Sequence, residues 1–180
     1  ASALAAGCPV VVKAHPNHPG TSEIVGRAII DAVRIGGYPD GTFSLVQGRG
    51  HAVGTELARH PATRAIGFTG SLGGGRALLD AAATRAVPIP VFAEMGSTNP
   101  VFVLPERLAS DTIDIANGLA LSVTLGVGQF CTNPGLVVAV KGGATDDLIA
   151  TLADALQESD EAVMLHAGIR AGFDARLDEI

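Results

Sequence analysis

The sequence predicts an α/β fold in which parallel strands are flanked by helices. Short apolar runs alternate with helix-period runs along the 180 residues. Most strand-like runs lead into a segment of helical length, the rhythm of parallel strands joined by crossover helices. Hydrophobic residues at 47% and charged residues at 17% suit a globular chain able to bury a core.

The elements are expected in this order. Pro9 to Lys13 reads as a buried strand entered after Gly7. Thr21 or Ser22 caps a helix running to about Ile35, with Ile24, Val25, Ala28, Ile29, Ala32 and Val33 on one face, and Gly36-Gly37 stops it. Phe43 to Val46 is a strand, His51 to Arg59 a helix ended by Pro61, and Arg64 to Phe68 a strand. Ser71 to about Arg85 is a helix with Leu78, Leu79 and Ala82 inward. Ile89 to Glu94 and Val101 to Leu104 are strands. Ser110 to about Leu125 is a long apolar helix, Gly135 to Val140 a strand, and Thr145 to about Glu158 a final clear helix. The strand rhythm changes between Glu94 and Pro100, which sets a boundary between residues 1–93 and 94–180.

Composition excludes several function classes. The net charge is −6 and the 12 Lys and Arg are scattered, so no concentrated basic surface awaits nucleic acid. No basic amphipathic stretch suits a membrane surface, no apolar run is long enough to span one, and no leader-like segment opens the chain. The two cysteines, Cys8 and Cys131, are far apart in sequence, which argues against a disulfide framework and for a reducing, cytoplasmic setting. His15 and His18 share a Pro-rich loop but lack the further ligands a metal needs, so no metal site is expected.

Five places carry groups suited to chemistry. Phe68-Thr69-Gly70-Ser71-Leu72-Gly73-Gly74-Gly75 follows a strand and opens a helix. Its glycines let backbone approach a ligand, and the first N–H groups of the helix attract phosphate, although a tight strand–helix turn has the same pattern. Gln47-Gly48-Arg49-Gly50 is a second such loop, or an ordinary connection. Lys13 ends the first strand, at the edge where open α/β sheets bind ligands, or is simply solvated. Glu94 ends a buried strand as a structural acceptor or as a base. Cys131 lies in Gly126-Val127-Gly128-Gln129-Phe130-Cys131-Thr132-Asn133, where the glycines leave the thiol uncovered; a buried inert cysteine is the alternative, and Cys8 fits that description.

Four motifs in order resemble the aldehyde dehydrogenase superfamily: Val10-Val11-Val12-Lys13, Gly67-Phe68-Thr69-Gly70-Ser71, Glu94-Met95-Gly96-Ser97-Thr98-Asn99-Pro100 and Gly128-Gln129-Phe130-Cys131. The resemblance runs from Ala3 to about Val140. It implies a Rossmann-like nucleotide-binding domain over 1–93, lacking its opening strands, and the start of a catalytic domain over 94–180. It also implies NAD(P)-dependent oxidation of an aldehyde to a carboxylate. In that family the cysteine matching Cys131 attacks the carbonyl and passes through a thiohemiacetal and a thioester, and the glutamate matching Glu94 activates the hydrolytic water. Lys13 would bind the adenosine ribose, Gly48 and Arg49 would lie near the adenine, and Gly70 and Ser71 would contact the pyrophosphate, with Gly75 allowing close packing. The Cys131 backbone N–H would supply half of an oxyanion hole.

Departures refine the reading. Pro16 stands where members preferring NAD carry an acidic residue for the ribose 2′-hydroxyl, so NADP is the expected cofactor, with NAD the alternative and Arg49 or His18 as helpers. Glu94-Met95-Gly96-Ser97-Thr98-Asn99-Pro100, with Lys13-Ala14-His15-Pro16 and Gln129-Phe130-Cys131-Thr132-Asn133-Pro134-Gly135, looks like the α-ketoglutaric semialdehyde (2,5-dioxovalerate) dehydrogenase branch. Long-chain aldehyde dehydrogenases, members that pass the acyl group to coenzyme A or phosphate, and non-catalytic nucleotide-binding relatives are the alternatives; Glu94 argues against the second and the pair Cys131 and Glu94 against the third. Family members are longer, so the chain is expected to be a central fragment of a homo-oligomer, without the oxyanion asparagine or the carboxylate that grips the nicotinamide ribose. The isolated 180 residues should therefore give little or no aldehyde-dependent rise in NADPH absorbance; a clear rise would contradict the fragment reading.

Overall fold

Short runs of Val, Ile and Phe become strands, and the amphipathic runs between them become helices. The computed structural model describes residues 2–179. The elements are α1 (Ser2–Ala5), β1 (Val10–Lys13), α2 (Pro19–Ile35), β2 (Phe43–Val46), α3 (Ala52–Arg59), β3 (Ile66–Thr69), α4 (Leu72–Ala83), β4 (Val91–Glu94), β5 (Pro100–Val103), α5 (Pro105–Thr124), β6 (Leu136–Ala139), α6 (Gly143–Gln157) and α7 (Ala167–Leu177). A 3₁₀ turn, Leu125–Gly128, follows α5. The chain divides into two compact units, one ending at Met95 and one beginning at Gly96.

The α/β class, the parallel pairing and the flanking helices hold, and the strands pair in twos. Among the described residues β1 pairs with β2, β3 with β4 and β5 with β6, as three separate parallel pairs. Two strands make a narrow ribbon, and a helix can cover only part of it. Val11 and Val12, expected to be buried, are therefore exposed, as are Phe92, Phe102 and Val137.

Helix starts shift for a common reason. The helix expected to be capped by Thr21 or Ser22 begins at Pro19, with His18 as a cap residue that makes no side-chain bond. The helix expected from Ser110 begins at Pro105. Proline's preset φ and missing N–H suit the first helical position. Ser110 nevertheless marks a real break: Asp111 has a non-helical φ of −137°. The Ser110 hydroxyl bonds to the Asp111 carboxylate, which also pairs with Arg107 at 2.7 Å. The short α1 was not expected as an element.

In the first unit the helices approach through small residues. Gly26 is the buried residue of α2, which leaves Ile24 and Val25 outside the inward stripe and exposed. On α4 the inward stripe is Gly75, Leu78 and Ala82, while Leu79, expected inward, is exposed. Cys8 is exposed too, which corrects its reading as a buried residue. Small side chains bury little apolar area, and polar bonds take a larger share here. The Arg85 guanidinium donates to Ala58 O and His60 O, both at 2.7 Å, to Thr63 O at 2.9 Å and to Val87 O at 3.2 Å. Two of these carbonyls lie at the C-terminal end of α3, where a cation satisfies acceptors that the helix leaves open.

The second unit has a conventional core. Val103, Leu108, Ala116, Leu119 and Leu148 cluster where α5 and α6 cover β5 and β6, with Val101, Ile115 and Ala139 packed against them. Burying Leu108, Leu119 or Leu148 stabilises by roughly 1.5–3 kcal/mol each.

Gly75 shows what close approach requires. A Cβ there would sit 2.7 Å from Met95 Cγ, whereas one at Gly73, two residues earlier on the same helix, would meet nothing within 4 Å. Gly75→Ala should destabilise the intact protein by about 1–3 kcal/mol through overpacking. Gly73→Ala should stabilise it by about 0.5–1 kcal/mol through chain entropy. Urea unfolding checks both, and equal effects would contradict the packing.

Candidate active site

The site residues of the first unit lie at C-terminal strand ends. In β3 and β4 the register sets Thr69 beside Glu94. The next N–H, that of Gly70, donates to Glu94 O at 3.0 Å. The glycine-rich turn and Glu94 therefore end neighbouring parallel strands at the edge where α/β proteins bind ligands. The Glu94 side chain is exposed.

Ser71 begins α4 by capping it: its extended backbone leaves Oγ free to accept the Gly74 N–H at 3.1 Å. Gly75 N–H closes the first helical bond to Ser71 O. The N–H groups of Leu72 and Gly73 have no acceptor among the described residues, and the space above Gly73 is open. Two free donors at the positive end of a helix, under a glycine, fit a pyrophosphate. Gly70 is exposed above the Phe68 ring, and Gly75 is buried against Met95.

The other pair gathers the remaining candidates. Lys13, half-buried, ends β1 opposite Val46 of β2. Gly48 and Arg49 follow that strand, so all three stand at one edge. Gly48 packs on Val53, Gly50 turns the chain with φ +69°, and Arg49 is exposed. Beyond Lys13 the rings of His15 and His18 stack at 5.1 Å. No hydrogen-bonded ladder joins this pair to β3 and β4 among the described residues.

In the second unit Cys131 is exposed on the loop that leads into β6. The register of β5 and β6, Pro100 beside Leu136, lays the entry segment Ser97–Asn99 along the entry segment Cys131–Gly135. Gly135 N–H donates to Thr98 O at 2.8 Å. Asn99 Nδ2 donates to Cys131 O at 2.7 Å and to Asn133 O at 2.9 Å, and the Ser97 hydroxyl also donates to Cys131 O. Asn133 Nδ2 reaches Val123 O at 2.8 Å. Gln129 bonds Gly126 O at 2.8 Å and accepts the Leu165 N–H at 2.9 Å, so the loop is tied at both ends. The Cys131 N–H has no acceptor among the described residues, which leaves a donor free beside the thiol.

The approach to this loop is left-handed at Gly126, Val127 and Gly128, with φ between +59° and +69°. For the β-branched Val127 that conformation is strained by about 1–2 kcal/mol. A cavity of about 440 Å³ lies behind the loop, lined by Val123, Val127, Gln129, Met164 and Phe173 among others. Cys131 does not line it. It is an apolar gap beside the loop and not the place where the thiol opens.

Sequence reasoning named Cys131 but gave no role to Ser97, Asn99, Asn133 or Gln129. The available signal was Asn99 before Pro100, since asparagine is one of the few residues that tolerate its φ of +46°. Among the described residues no cluster of three His, Cys, Asp or Glu could hold a metal ion, and no helix is long and apolar enough to cross a membrane.

Comparison with known proteins places this architecture. The chain is 56% identical over 173 residues to alpha-ketoglutaric semialdehyde dehydrogenase 2 of Azospirillum brasilense, covering 96% of this chain and 33% of that protein. It is 44% identical over 182 residues to alpha-ketoglutaric semialdehyde dehydrogenase of Acinetobacter baylyi, covering 99% and 34%. It thus spans about a third of the length of these curated relatives. The crystal structure of gamma-glutamyl-gamma-aminobutyraldehyde dehydrogenase from Burkholderia cenocepacia superposes with a TM-score of 0.73 at 30% identity, over 85% of this chain and 29% of that one. Residues 1–163 match the model of the aldehyde dehydrogenase family, and the chain belongs to that family.

Proposed function

We propose that this chain is the central part of an NAD(P)-dependent aldehyde dehydrogenase that oxidises 2,5-dioxovalerate to 2-oxoglutarate, with NADP preferred. Residues 1–93 serve the nucleotide and residues 94–180 begin the catalytic domain. The observation that carries the reading is an exposed cysteine, Cys131, on a loop pinned by hydrogen bonds from two side chains, with a free backbone N–H beside the thiol, in a chain of the aldehyde dehydrogenase family. The substrate reading is supported by the two relatives named for that semialdehyde, at 56% and 44% identity. The whole protein is read as a cytoplasmic homo-oligomer.

The roles follow from chemistry. The Cys131 thiolate forms a bond to the aldehyde carbon, and the carbonyl electron pair moves to oxygen. The Cys131 N–H donates to that oxygen, where charge develops. The oxygen electrons return as the carbon gives up its hydrogen as hydride, leaving a thioester on Cys131. A bound nicotinamide dinucleotide supplies the hydride acceptor. Glu94 takes one proton from water as the water oxygen bonds to the thioester carbon; the carbon–sulfur bond then breaks, which restores the thiolate, and the carboxylic acid released gives its remaining proton to solvent to become the carboxylate.

The first unit's residues account for nucleotide binding. The free N–H groups of Leu72 and Gly73, with Gly70 and Ser71, would hold the pyrophosphate, and Gly75 would keep α4 close enough for that approach. Lys13 binds the ribose, with Gly48 and Arg49 near the adenine. With Pro16 where a carboxylate would repel a 2′-phosphate, NADP would be accepted there, with Arg49 or His18 to help hold that phosphate.

In the intact protein, Cys131→Ser should abolish oxidation, because an alkoxide forms far less readily than a thiolate at pH 7. Glu94→Gln should give a burst of about one equivalent of NADPH and then a steady rate lower by roughly 100-fold or more. Stopped-flow absorbance reads both phases, and normal turnover of Glu94→Gln without a stall would remove Glu94 as the base.

A further inference from the structure

We infer that Asn99, assisted by Ser97, is a positioning residue that sets the direction of the Cys131 side chain by clamping the carbonyl of the same residue. This rests on the reading of Cys131 as the nucleophile and adds a group that reading did not contain.

The clamp is specific in where it acts. The Asn99 amide nitrogen carries two protons. They are shared by Cys131 O at 2.7 Å, Asn133 O at 2.9 Å and, more distantly, Ser97 Oγ at 3.2 Å. The Ser97 hydroxyl places a second donor on Cys131 O. A carbonyl held by two donors cannot rotate about the Cα–C bond of its own residue, so ψ of Cys131 is set. The bond to Asn133 O holds the chain two residues further on. With both points fixed, the Cα–Cβ bond of Cys131 has one direction. Neither acceptor belongs to a helix or strand, so the amide is spent on the loop that bears the thiol and not on the fold's regular bonding.

The donor is as constrained as its target. Asn99 is half-buried and has φ +46°. Pro100 follows it and opens β5, whose register against β6 carries Asn99 to the Cys131 loop. At Gly135 a Cβ would lie 2.7 Å from Thr98 O, so the two segments approach as closely as backbone allows. Covalent chemistry on a held substrate is sensitive to such placement: a shift of about 1 Å in a reacting atom costs on the order of 100-fold in rate.

The test uses the intact protein. Asn99→Gly keeps a residue that accepts the left-handed backbone and removes only the amide; Asn99→Asp keeps the shape but turns a carboxylate towards two carbonyls. Three quantities are read: the rate of the first-turnover NADPH burst, the rate of Cys131 alkylation by iodoacetamide, and the Kd for NADP⁺. Burst rates should fall about 30- to 100-fold, because hydride loss needs an oriented thiohemiacetal. Alkylation should change by less than about threefold, because a small reagent reads thiolate and access rather than direction. The Kd for NADP⁺ should stay within about twofold, since the nucleotide residues belong to the first unit. Ser97→Ala should show the same pattern at about 3- to 10-fold, and carries the test if the Asn99 variants fail to fold. A burst in Asn99→Gly within about threefold of the unaltered protein overturns the inference. So does a parallel loss of burst, alkylation and NADP⁺ affinity, which marks a residue needed only for folding. Failure of the underlying reading looks different: Cys131→Ser would keep its burst.

Discussion

The parallel register of β5 against β6 governs the loop that carries Cys131. With Pro100 beside Leu136, the three residues before one strand run along the five before the other. Three of the contacts that hold Cys131 follow from that alignment: the Thr98–Gly135 backbone bond, the Asn99 amide between two carbonyls and the Ser97 hydroxyl on one of them. A register shift of one residue would move each donor by more than 3 Å, beyond hydrogen-bond reach. The core beneath, from Val103 to Leu148, resists such a shift because each strand's inward residues must meet α5 and α6.

The two units solve the problem of precision differently. The second rests its loop on a leucine-rich core. The first brings helices to strands through Gly26, Gly75, Ala81 and Ala82, and spends polar bonds, above all those of Arg85, on tying its connections. Small residues contribute less burial but let α4 come close to β4, and the turn that enters α4 meets the end of β4 where the Gly70 N–H donates to Glu94 O. Gly75 is where that close packing leaves no room for a side chain.

Much of the fold was legible because its signals are local. The runs Phe43–Val46 and Val91–Glu94 are apolar, short and bounded by turn residues, and they became strands with nearly the expected limits. The Gly70–Ser71 turn was legible as a strand end meeting a helix cap. Misread features depended on competition or on distance. Pro19 and Pro105 outcompete nearby Ser and Thr as helix starts. Val11 and Val12 carry the pattern of a covered strand, but strands that pair only in twos leave them exposed. Cys131 was found through its motif, while its supports were not, because a bond from Asn99 to Cys131 spans 32 residues and exists only in one register.

The account depends on Cys131, and not another group, carrying the substrate through the reaction. The most direct measurement is peptide mapping by mass spectrometry of the intact Glu94→Gln protein, acid-quenched after mixing with aldehyde and NADP⁺. The account predicts an acyl mass on the peptide containing Cys131 and none on the peptide containing Cys8, although both thiols are exposed. NADPH formed with no acyl group on Cys131, or an acyl group on Cys8 instead, would contradict it.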